Sequence, residues 1–430
     1  MRIADEARPI AAAGPTGPGT ARCGCPENGA ALSRRTLFRI AGVAGLATAT
    51  TLSDVRFAFG ATSGNTLVVL SLRGGFDGLS AVVPAGDPNY YAKRQGVAVP
   101  AGQLKRIDSM FGLHPVMAPL YPLWDAGKLA AVHAVGQDTP TRSHFAAMDE
   151  MERAAPGSSL RTGWIDRTLG VVGDGTFTGS QVGSAELPRS MIGGHHKFSL
   201  RAVKDVKLAV GEDQVPLSRW QKAVARLHTG ARPEVSQPLT SALRAVGSMR
   251  GLQQRASDAE AAGYPEGGLG SALHDVAQLV KAGIGVRVAT VDFGDWDMHA
   301  GQGGVDSGWM HDHLGELSAA LAAFAAELGP DLDRVTLVTL SEFGRRVEQN
   351  GSGGTDHGHG NAVLVLGGGV RGGQVHGRWP GLADSALVDG DLAGTTDYRS
   401  IVAELLTKRL GVGSTSQVFP GFKARAVGAV

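Results

Sequence analysis

Cysteine is nearly absent from this chain of 430 residues, which has only Cys23 and Cys25. Both precede the point at which we expect an export signal to be cleaved, so the mature protein should contain no cysteine. That excludes a disulfide framework, a thiolate metal site and a cysteine nucleophile. The chemistry of the mature chain must therefore come from Asp, His, Ser and Thr side chains.

Neither sign of charge is in excess, and aromatic residues are few. The chain has 41 Lys and Arg against 40 Asp and Glu, and aromatic residues make up 6% of it. A nucleic-acid-binding protein usually carries a basic excess, so we expect no nucleic-acid partner. Glycine is abundant, at 63 residues. Together with repeated apolar runs, this composition indicates a globular chain with many tight loops.

A membrane-spanning run is also missing near the N-terminus. The apolar stretch there, from residue 40 to about residue 52, is shorter than the roughly 20 residues that a span needs. Ser33-Arg34-Arg35 precedes it, and paired arginines before a mild apolar stretch resemble a twin-arginine export signal. The alternative is a buried helix with a basic cap. Small residues at 47–49 and at 58–60 each offer a cleavage site.

We therefore expect residues 1–60 to be a twin-arginine signal peptide. The twin-arginine translocase would be a partner during export, and the mature protein would be periplasmic or secreted. It would have no stable membrane span. Residues 61–430 would form the folded domain.

Five apolar runs alternate with helical patterns in the remaining chain. They cover residues 66–72, 129–135, 286–291, 335–340 and 362–366. Continuous runs rich in Val and Leu suit strands buried on both faces, as in a parallel sheet. One helical stripe has a 3-4-3-4 spacing, formed by Leu314, Leu317, Leu321, Phe324 and Leu328. The pattern predicts an α/β fold with a doubly wound, mostly parallel sheet.

Residues 155–270 differ from the rest, since they carry loops and two polar helical stretches. We expect them to form an inserted cap region over the site. In a doubly wound fold, ligands bind beyond the carboxyl ends of the strands. Polar clusters follow four of the five apolar runs, so these clusters hold the candidate site residues.

The segment after the second run contains the catalytic candidates Thr141, Arg142, Ser143 and His144. It opens a helical stretch, so Thr141 or Ser143 is either the helix N-cap or a nucleophile. The N-terminus of a helix stabilises developing negative charge, which suits a nucleophile. Arg142 is a candidate for holding an anionic substrate group.

Carboxylates and histidines after other runs are candidates for metal ligands. Asp77 lies on a Gly-rich turn after the first run, where the backbone can fold closely around an ion, although an ordinary Asp-Gly turn is the alternative. Asp297 and His299 follow the third run, two residues apart. A carboxylate together with an imidazole suits zinc, manganese or iron.

The densest cluster lies in a glycine-rich loop between the fourth and fifth runs. It contributes Asp356, His357 and His359, and Glu342 follows the fourth run directly. Three potential ligands within four residues favour metal binding over a solvated loop. Without cysteine, the ligands must be oxygen and nitrogen atoms. We therefore expect a divalent metal, namely zinc, manganese, magnesium or calcium.

Five segments appear in an order that resembles a known bacterial family. They are LRGGFDGL at 72–79, TRSHF at 141–145, WDMH at 296–299, LSEFGR at 340–345 and GTDHG at 354–358. The chain resembles the domain of unknown function 1501 family over about residues 60–410. Members of that family commonly carry twin-arginine signals, and the family is related to the alkaline phosphatase and sulfatase superfamily.

The resemblance implies an alkaline phosphatase/sulfatase-like fold and an order of site residues. In the superfamily an Asp follows the first strand, which matches Asp77. A Ser, Thr or Cys nucleophile at a helix start matches Thr141 or Ser143. Asp and His metal ligands in the later part of the chain match Asp297, His299, Asp356 and His357, and His359 or His376 would be the last histidine. One departure is that Glu342-Phe343 stands where the superfamily usually has Asp-His.

Two functions from different classes follow. The leading hypothesis is an exported metal-dependent hydrolase of phosphate or sulfate esters, which acts on a small anionic ester substrate. A metal would lower the pKa of the nucleophile or of water and neutralise the anion. The alternative is a non-catalytic secreted binding or assembly protein that keeps the fold. The formylglycine sulfatase signature is absent, so a sulfatase of that type is not expected.

Export is testable through the paired arginines. We predict that changing Arg34 and Arg35 together to Lys retains the precursor in the cytoplasm, because the translocase recognises the guanidinium pair. Cell fractionation and immunoblotting measure the distribution. Normal delivery of the double variant out of the cytoplasm would contradict the assignment.

Overall fold

The computed structural model describes residues 64–206 except 139 and 174, a few isolated positions between 207 and 257, and residues 258–430. The twin-arginine segment and both cysteines lie outside the described residues. The strands are β1 (Thr66–Leu72), β2 (Val82–Val83), β3 (Lys105–Arg106), β4 (Gly112–Leu113), β5 (Leu129–Gly136), β6 (Gly179–Val182), β7 (Phe198–Leu200), β8 (Val288–Phe293), β9 (Val335–Leu340), β10 (Arg345–Gln349), β11 (Thr355–His357), β12 (Asn361–Gly367), β13 (Val375–His376) and β14 (Thr396–Asp397).

The helices of the described residues are mostly short. They are α1 (Gly78–Ala81), α2 (Pro88–Lys93), α3 (Tyr121–Asp125), α4 (His144–Arg153), α5 (Trp164–Val172), α6 (Gly268–Lys281), α7 (Trp309–Leu328) and α8 (Tyr398–Lys408). Short 3-10 segments cover Pro115–Leu120, Arg189–Met191, Val203–Asp205, Gly329–Arg334 and Asp384–Ala386. Among the described helices, none is long and apolar enough to cross a membrane.

A large central sheet organises the fold, with the strand order β13-β5-β12-β9-β1-β8-β6-β7 and with β14 also paired to β5. β1 lies in the middle and pairs in parallel with β8 and with β9. All seven residues of β1 are buried, as a strand covered on both faces requires. The predicted mixed α/β fold with a mostly parallel sheet is therefore confirmed.

Helices cover both faces of this sheet. Val68 and Leu70 of β1 pack in one core that also contains the apolar sides of α6 and α7. Leu67 and Val69 point to the opposite face, into a core shared with α5 and α8. The predicted stripe on α7 is confirmed, since all five of its residues are buried in the first core. Alternate residues of one strand thus supply two cores, which is the doubly wound arrangement.

One strand of the central sheet, β12, runs antiparallel to its neighbours. β12 pairs antiparallel with both β5 and β9. The chain between β9 and β12 forms the antiparallel β10–β11 pair instead of a helix. A parallel pair needs a long crossover, usually a helix, so a connection built as a hairpin returns the chain in the opposite direction.

The expected cap is not confirmed for the described part of residues 155–270. Residues 155–206 carry α5, β6 and β7, and both strands belong to the main sheet. β6 pairs in parallel with β8. The sequence of β6, GSQV, is small and polar although all four residues are buried. Because it lacks the apolar pattern of the other strands, it was not recognisable as one.

The strand directions bring one set of ends together. β1, β8 and β9 run in parallel, and β5 shares their direction because both β5 and β9 oppose β12. The carboxyl ends of these four strands and the start of β12 therefore meet at one edge of the sheet. Such an edge is where α/β folds bind ligands. The segments that follow these strands carry the candidate site residues.

Candidate metal centre

Four residues from three segments meet beyond the carboxyl edge of the sheet. His144 is the first residue of α4, which follows β5. Asp297 and His299 lie in the loop that follows β8. His357 is the last residue of β11, where it pairs with the first residue of β10. The strand ends thus deliver three histidines and one carboxylate to one place.

The ring nitrogens of the histidines are in direct contact. His357 Nε2 lies 2.8 Å from His144 Nε2 and 2.9 Å from His299 Nε2. Asp297 Oδ1 lies 3.1 Å from His357 Nε2 and 3.1 Å from His299 Nε2, and Asp297 Oδ2 lies 3.4 Å from His144 Nε2. His144, Asp297 and His357 offer one ligand atom each, all within 4.8 Å of one another. We call these four residues the metal centre.

Each histidine has an acceptor on its other ring nitrogen. The acceptors are Glu342 Oε1 at 2.7 Å for His144, Asp356 Oδ1 at 2.9 Å for His299, and the Arg142 carbonyl oxygen at 2.7 Å for His357. A carbonyl or carboxylate oxygen can only accept, so each Nδ1 carries the proton. In a neutral ring, Nε2 then presents a lone pair. Histidines that bind metals are oriented in this way.

This arrangement leaves the metal centre with acceptors and no donor among its contacting atoms. Neutral imidazoles cannot hydrogen-bond to one another through two lone pairs, and the ionised carboxylate of Asp297 is also an acceptor. A cation between these atoms turns every one of these contacts into an attraction. The donor set of three nitrogens and a carboxylate therefore fits a divalent metal ion.

Asp297 is kept ionised. Burial would raise the pKa of its carboxyl, but the hydrogen bond and the positive charge of Arg345 outweigh burial and lower the pKa to about 2. Arg345 Nη2 donates to Asp297 Oδ1 at 2.7 Å. Asp297 therefore contributes an ionised carboxylate to the metal centre at neutral pH, which suits a cation.

Arg345 is buried, with 1% of its side chain exposed, and it ties the surrounding loops together. Its guanidinium donates to the Gly75 carbonyl at 2.7 Å, the Thr355 carbonyl at 2.9 Å and the Trp296 carbonyl at 2.9 Å. These carbonyls belong to segments beyond β1, β8 and β10. The guanidinium donors of Arg345 are therefore occupied by the protein.

Glu342 and Asp356, both predicted as metal ligands, instead contact the histidines from behind. Glu342 is 2% exposed and also accepts the Gly74 backbone N–H at 2.8 Å. Asp356 accepts from Asn350 Nδ2 at 2.9 Å, and this bond together with the one from His299 lowers the pKa of its carboxyl. These two carboxylates therefore hold the orientation and tautomer of His144 and His299.

Gly74 allows the loops to approach this closely. It has a φ of 113°, and a Cβ at this position would lie 2.8 Å from the backbone nitrogens of Trp296 and Asp297. Any side chain would therefore push the loop after β1 away from the loop that carries Asp297. The Gly-rich turn serves close packing of two loops.

Asp77 was also expected to bind the metal, but it forms hydrogen bonds outside the metal centre. Its two oxygens accept from the Arg94 guanidinium at 2.6 and 3.1 Å, and Oδ2 also accepts from Ser80 Oγ and Gln302 Nε2, each at 2.7 Å. Arg94 is fully buried and Asp77 is 3% exposed. Burial would raise the pKa of Asp77, but Arg94 and the two hydrogen bonds hold it below its usual value. A carboxylate so saturated acts as a structural anchor of the turn after β1.

The remaining predicted residues lie around α4. Ser143 is the N-cap of α4, accepting from Ala146 N at 3.5 Å, so the capping interpretation is confirmed. Thr141 Oγ1 accepts from the Ser143 N–H at 3.3 Å. The Arg142 side chain forms an ion pair with Asp391 at 2.8 Å.

The last predicted histidines lie apart from the centre. His359 donates from Nε2 to the Gln137 carbonyl at 3.0 Å, and its buried Nδ1 has no hydrogen-bond partner among the described residues. His376 lies in β13 and contacts the Arg371 carbonyl at 2.8 Å. Neither contacts the metal centre.

Two features escaped the sequence reasoning. His144 was grouped with the catalytic candidates and not with the metal ligands, although its place at a helix start beyond a strand end was a usable signal. Arg94 gave no signal, because it is a single arginine 17 residues beyond its partner in a loop. Its role depends on tertiary packing alone.

The chain matches one protein family and is similar to several solved structures. The family described as "Protein of unknown function (DUF1501)" matches residues 65–407 of the chain. No curated protein matches the chain. The C-terminal periplasmic domain of EcEptC from Escherichia coli, in complex with Zn, is 9% identical with a TM-score of 0.34, over 85% of this chain and 89% of that chain.

Two further solved structures are similar at the same level. Phosphonate monoester hydrolase of Agrobacterium radiobacter is 10% identical with a TM-score of 0.34, over 84% of this chain and 78% of that chain. Ps i-CgsB is 12% identical with a TM-score of 0.35, over 83% and 74%.

The buried pair of Asp77 and Arg94 generates a stability prediction. Arg94→Met leaves a buried carboxylate without its countercharge, so the free energy of unfolding should fall by about 3–5 kcal/mol. Urea denaturation followed by circular dichroism measures the loss. Lys128→Met is the control, because Lys128 pairs with Asp333 at the surface and solvent screens that pair. Equal stability of the two variants would contradict a structural role for the buried pair.

Proposed function

This chain belongs to the DUF1501 family of proteins of unknown function, and we propose that it is a metal-dependent hydrolase of phosphate or sulfate esters. Its divalent ion would be held by His144, His299, His357 and Asp297. The observation that carries the proposal is the contact of three Nε2 lone pairs, each fixed by an acceptor on the opposite ring nitrogen.

Zinc suits this donor set best, with manganese as the second choice. Imidazole is a preferred ligand of zinc, whereas magnesium and calcium take mainly oxygen ligands. His144, His299 and His357 would hold the ion through Nε2 and Asp297 through a carboxylate oxygen, and the ion would supply the positive charge that these acceptors lack.

The chemistry of ester hydrolysis divides between the ion and the protein. The ion would lower the pKa of a water molecule and neutralise the negative charge of the ester. Glu342 and Asp356 keep the imidazole rings aimed at it. Ser143 Oγ accepts the Ala146 N–H at 3.5 Å, so either this hydroxyl or water would be the nucleophile. Hydrolysis would release an alcohol together with phosphate or sulfate.

The order of site segments also supports an alkaline phosphatase/sulfatase type of site. A hydroxyl at the start of α4 and Asp and His residues beyond β8 and β9 follow the order of that superfamily, whereas Asp77, the carboxylate after β1, is paired with Arg94 and lies outside the metal centre. We place the mature enzyme outside the cytoplasm, delivered by the twin-arginine signal in residues 1–60. Export in the folded state would allow the ion to be bound beforehand.

Replacing His357 by Ala tests the metal centre. His357 Nε2 contacts all three other members, so H357A should lower the bound metal from about one equivalent to nearly none and abolish ester hydrolysis. Plasma mass spectrometry gives the stoichiometry, and 4-nitrophenyl phosphate, bis(4-nitrophenyl) phosphate and 4-nitrophenyl sulfate serve as substrates. H376A is the matched control, because His376 lies in β13 outside the centre.

The outcomes separate the two functions. Metal retained by H357A would show that His357 is not a required ligand. Metal lost by H357A, with none of the three esters cleaved by the parent protein, would instead favour the non-catalytic binding or assembly protein.

A further inference from the structure

A cleft opens beside the metal centre, and His144 forms part of its wall. Its volume is about 490 Å³. His144 also places its Nε2 in the metal centre, 2.8 Å from that of His357. A molecule bound in the cleft can therefore contact His144, one of the four residues of the metal centre. The cleft is large enough for the organic part of a small ester.

The charged side chains of the cleft are predominantly acidic. Its lining holds four carboxylates, of Asp149, Glu152, Glu186 and Asp292, and two guanidiniums, of Arg73 and Arg189. Four negative charges against two positive ones leave a net charge of −2. The cleft therefore repels an anionic group and attracts a cationic one.

The pairing within the cleft shows where the excess charge lies. Arg73 contacts both Glu152 and Asp292 at 2.8 Å, so one guanidinium faces two carboxylates. Glu152 is 3% exposed, its Oε1 is paired with Arg73, and its Oε2 accepts the Ser190 backbone N–H at 2.9 Å. Arg189 pairs with Asp149 at 3.0 Å. The exposed Glu186 carboxylate has no ion pair among the described residues.

An aromatic ring stands on the rim of the same cleft. Phe145 follows His144 directly in α4, and 92% of it is exposed. Leu187 and Pro188 add further apolar lining. An accessible aromatic face next to excess negative charge is the combination that recognises organic ammonium groups.

We propose that this cleft binds the positively charged end of a zwitterionic phosphate ester, an ammonium group joined to the phosphate by a short alkyl chain. The anionic phosphate would lie at the metal centre and the ammonium group between Phe145 and the acidic side chains. This inference rests on the proposed function, since it names the substrate class of the same site. Phe145 and Glu186 are then specificity-determining residues.

Two esters of matched shape test the charge preference. 4-Nitrophenyl phosphorylcholine carries a trimethylammonium group, and 3,3-dimethylbutyl 4-nitrophenyl phosphate carries a neutral tert-butyl group of the same shape. The metal-loaded enzyme should hydrolyse the cationic ester with a KM lower by about threefold to tenfold and a similar kcat. Equal KM values, or a preference for the neutral ester, would overturn the inference.

Variants locate the preference. F145L and E186Q should each reduce the ratio of kcat/KM for the cationic ester to kcat/KM for the neutral ester at least twofold. E260Q is the control, because Glu260 is an exposed carboxylate outside the cleft. A preference that survives both F145L and E186Q would show that the ammonium group binds elsewhere.

A binding measurement keeps this inference separate from the proposed hydrolase activity. Saturation-transfer NMR of the same metal-loaded protein with tetramethylammonium should show binding that tert-butanol lacks and that F145L weakens. Such binding without hydrolysis of any ester would refute the hydrolase and retain the cation cleft. Hydrolysis of both esters with no tetramethylammonium binding would refute the cation cleft alone.

Discussion

Three imidazole nitrogens held in contact, each with its lone pair facing the others, are the constraint on which the site depends. Neutral rings in this arrangement have no attractive contact with one another. The protein nevertheless fixes each ring from behind, through Glu342, Asp356 and the Arg142 carbonyl. A buried carboxylate such as Glu342 is costly unless its hydrogen bonds are satisfied. The interactions that orient the rings thus fit a cation at the point where the three nitrogens meet.

Two buried arginines hold the loops around that focus. Arg345 joins the turn after β1 to the loop after β8 and to β11, and its positive charge keeps the Asp297 carboxyl ionised. Arg94 neutralises Asp77 and also donates to the Val347 and Arg346 carbonyls of β10. Both guanidiniums use their planar set of donors to satisfy several carbonyls at once, which an ammonium group does less well. The position of the metal centre thus depends on charges that never reach the substrate.

Much of the fold follows from local pattern. The apolar runs that became β1, β5, β9 and β12 were recognisable from their length and composition, and the stripe of α7 from its spacing. β6 was not recognisable as a strand, because its sequence, GSQV, is mostly small and polar. It is buried because it lies between neighbouring strands of the sheet. β12 runs antiparallel because the connection between β9 and β12 is the β10–β11 hairpin and not a helix. The pattern of apolar residues does not reveal this connection.

The site was predictable as a set of residues but not as a set of roles. Residue types and strand ends placed Asp297, His299 and His357 together, since the carboxyl ends of parallel strands share an edge. Which carboxylate binds and which orients depends on differences of a few ångströms between loops. Glu342 and Asp356 contact the histidines of the metal centre from behind. Asp77 pairs instead with Arg94, a partner that only the tertiary structure brings close to it.

The most direct test of the metal centre is a crystal structure of the protein purified with its native metal, with anomalous data collected on both sides of the zinc absorption edge. The account predicts an anomalous peak bonded to Nε2 of His144, His299 and His357 and to a carboxylate oxygen of Asp297. An ion bound instead to Asp77 or Glu342, or no anomalous peak within bonding distance of the three histidines at full metal occupancy, would contradict it.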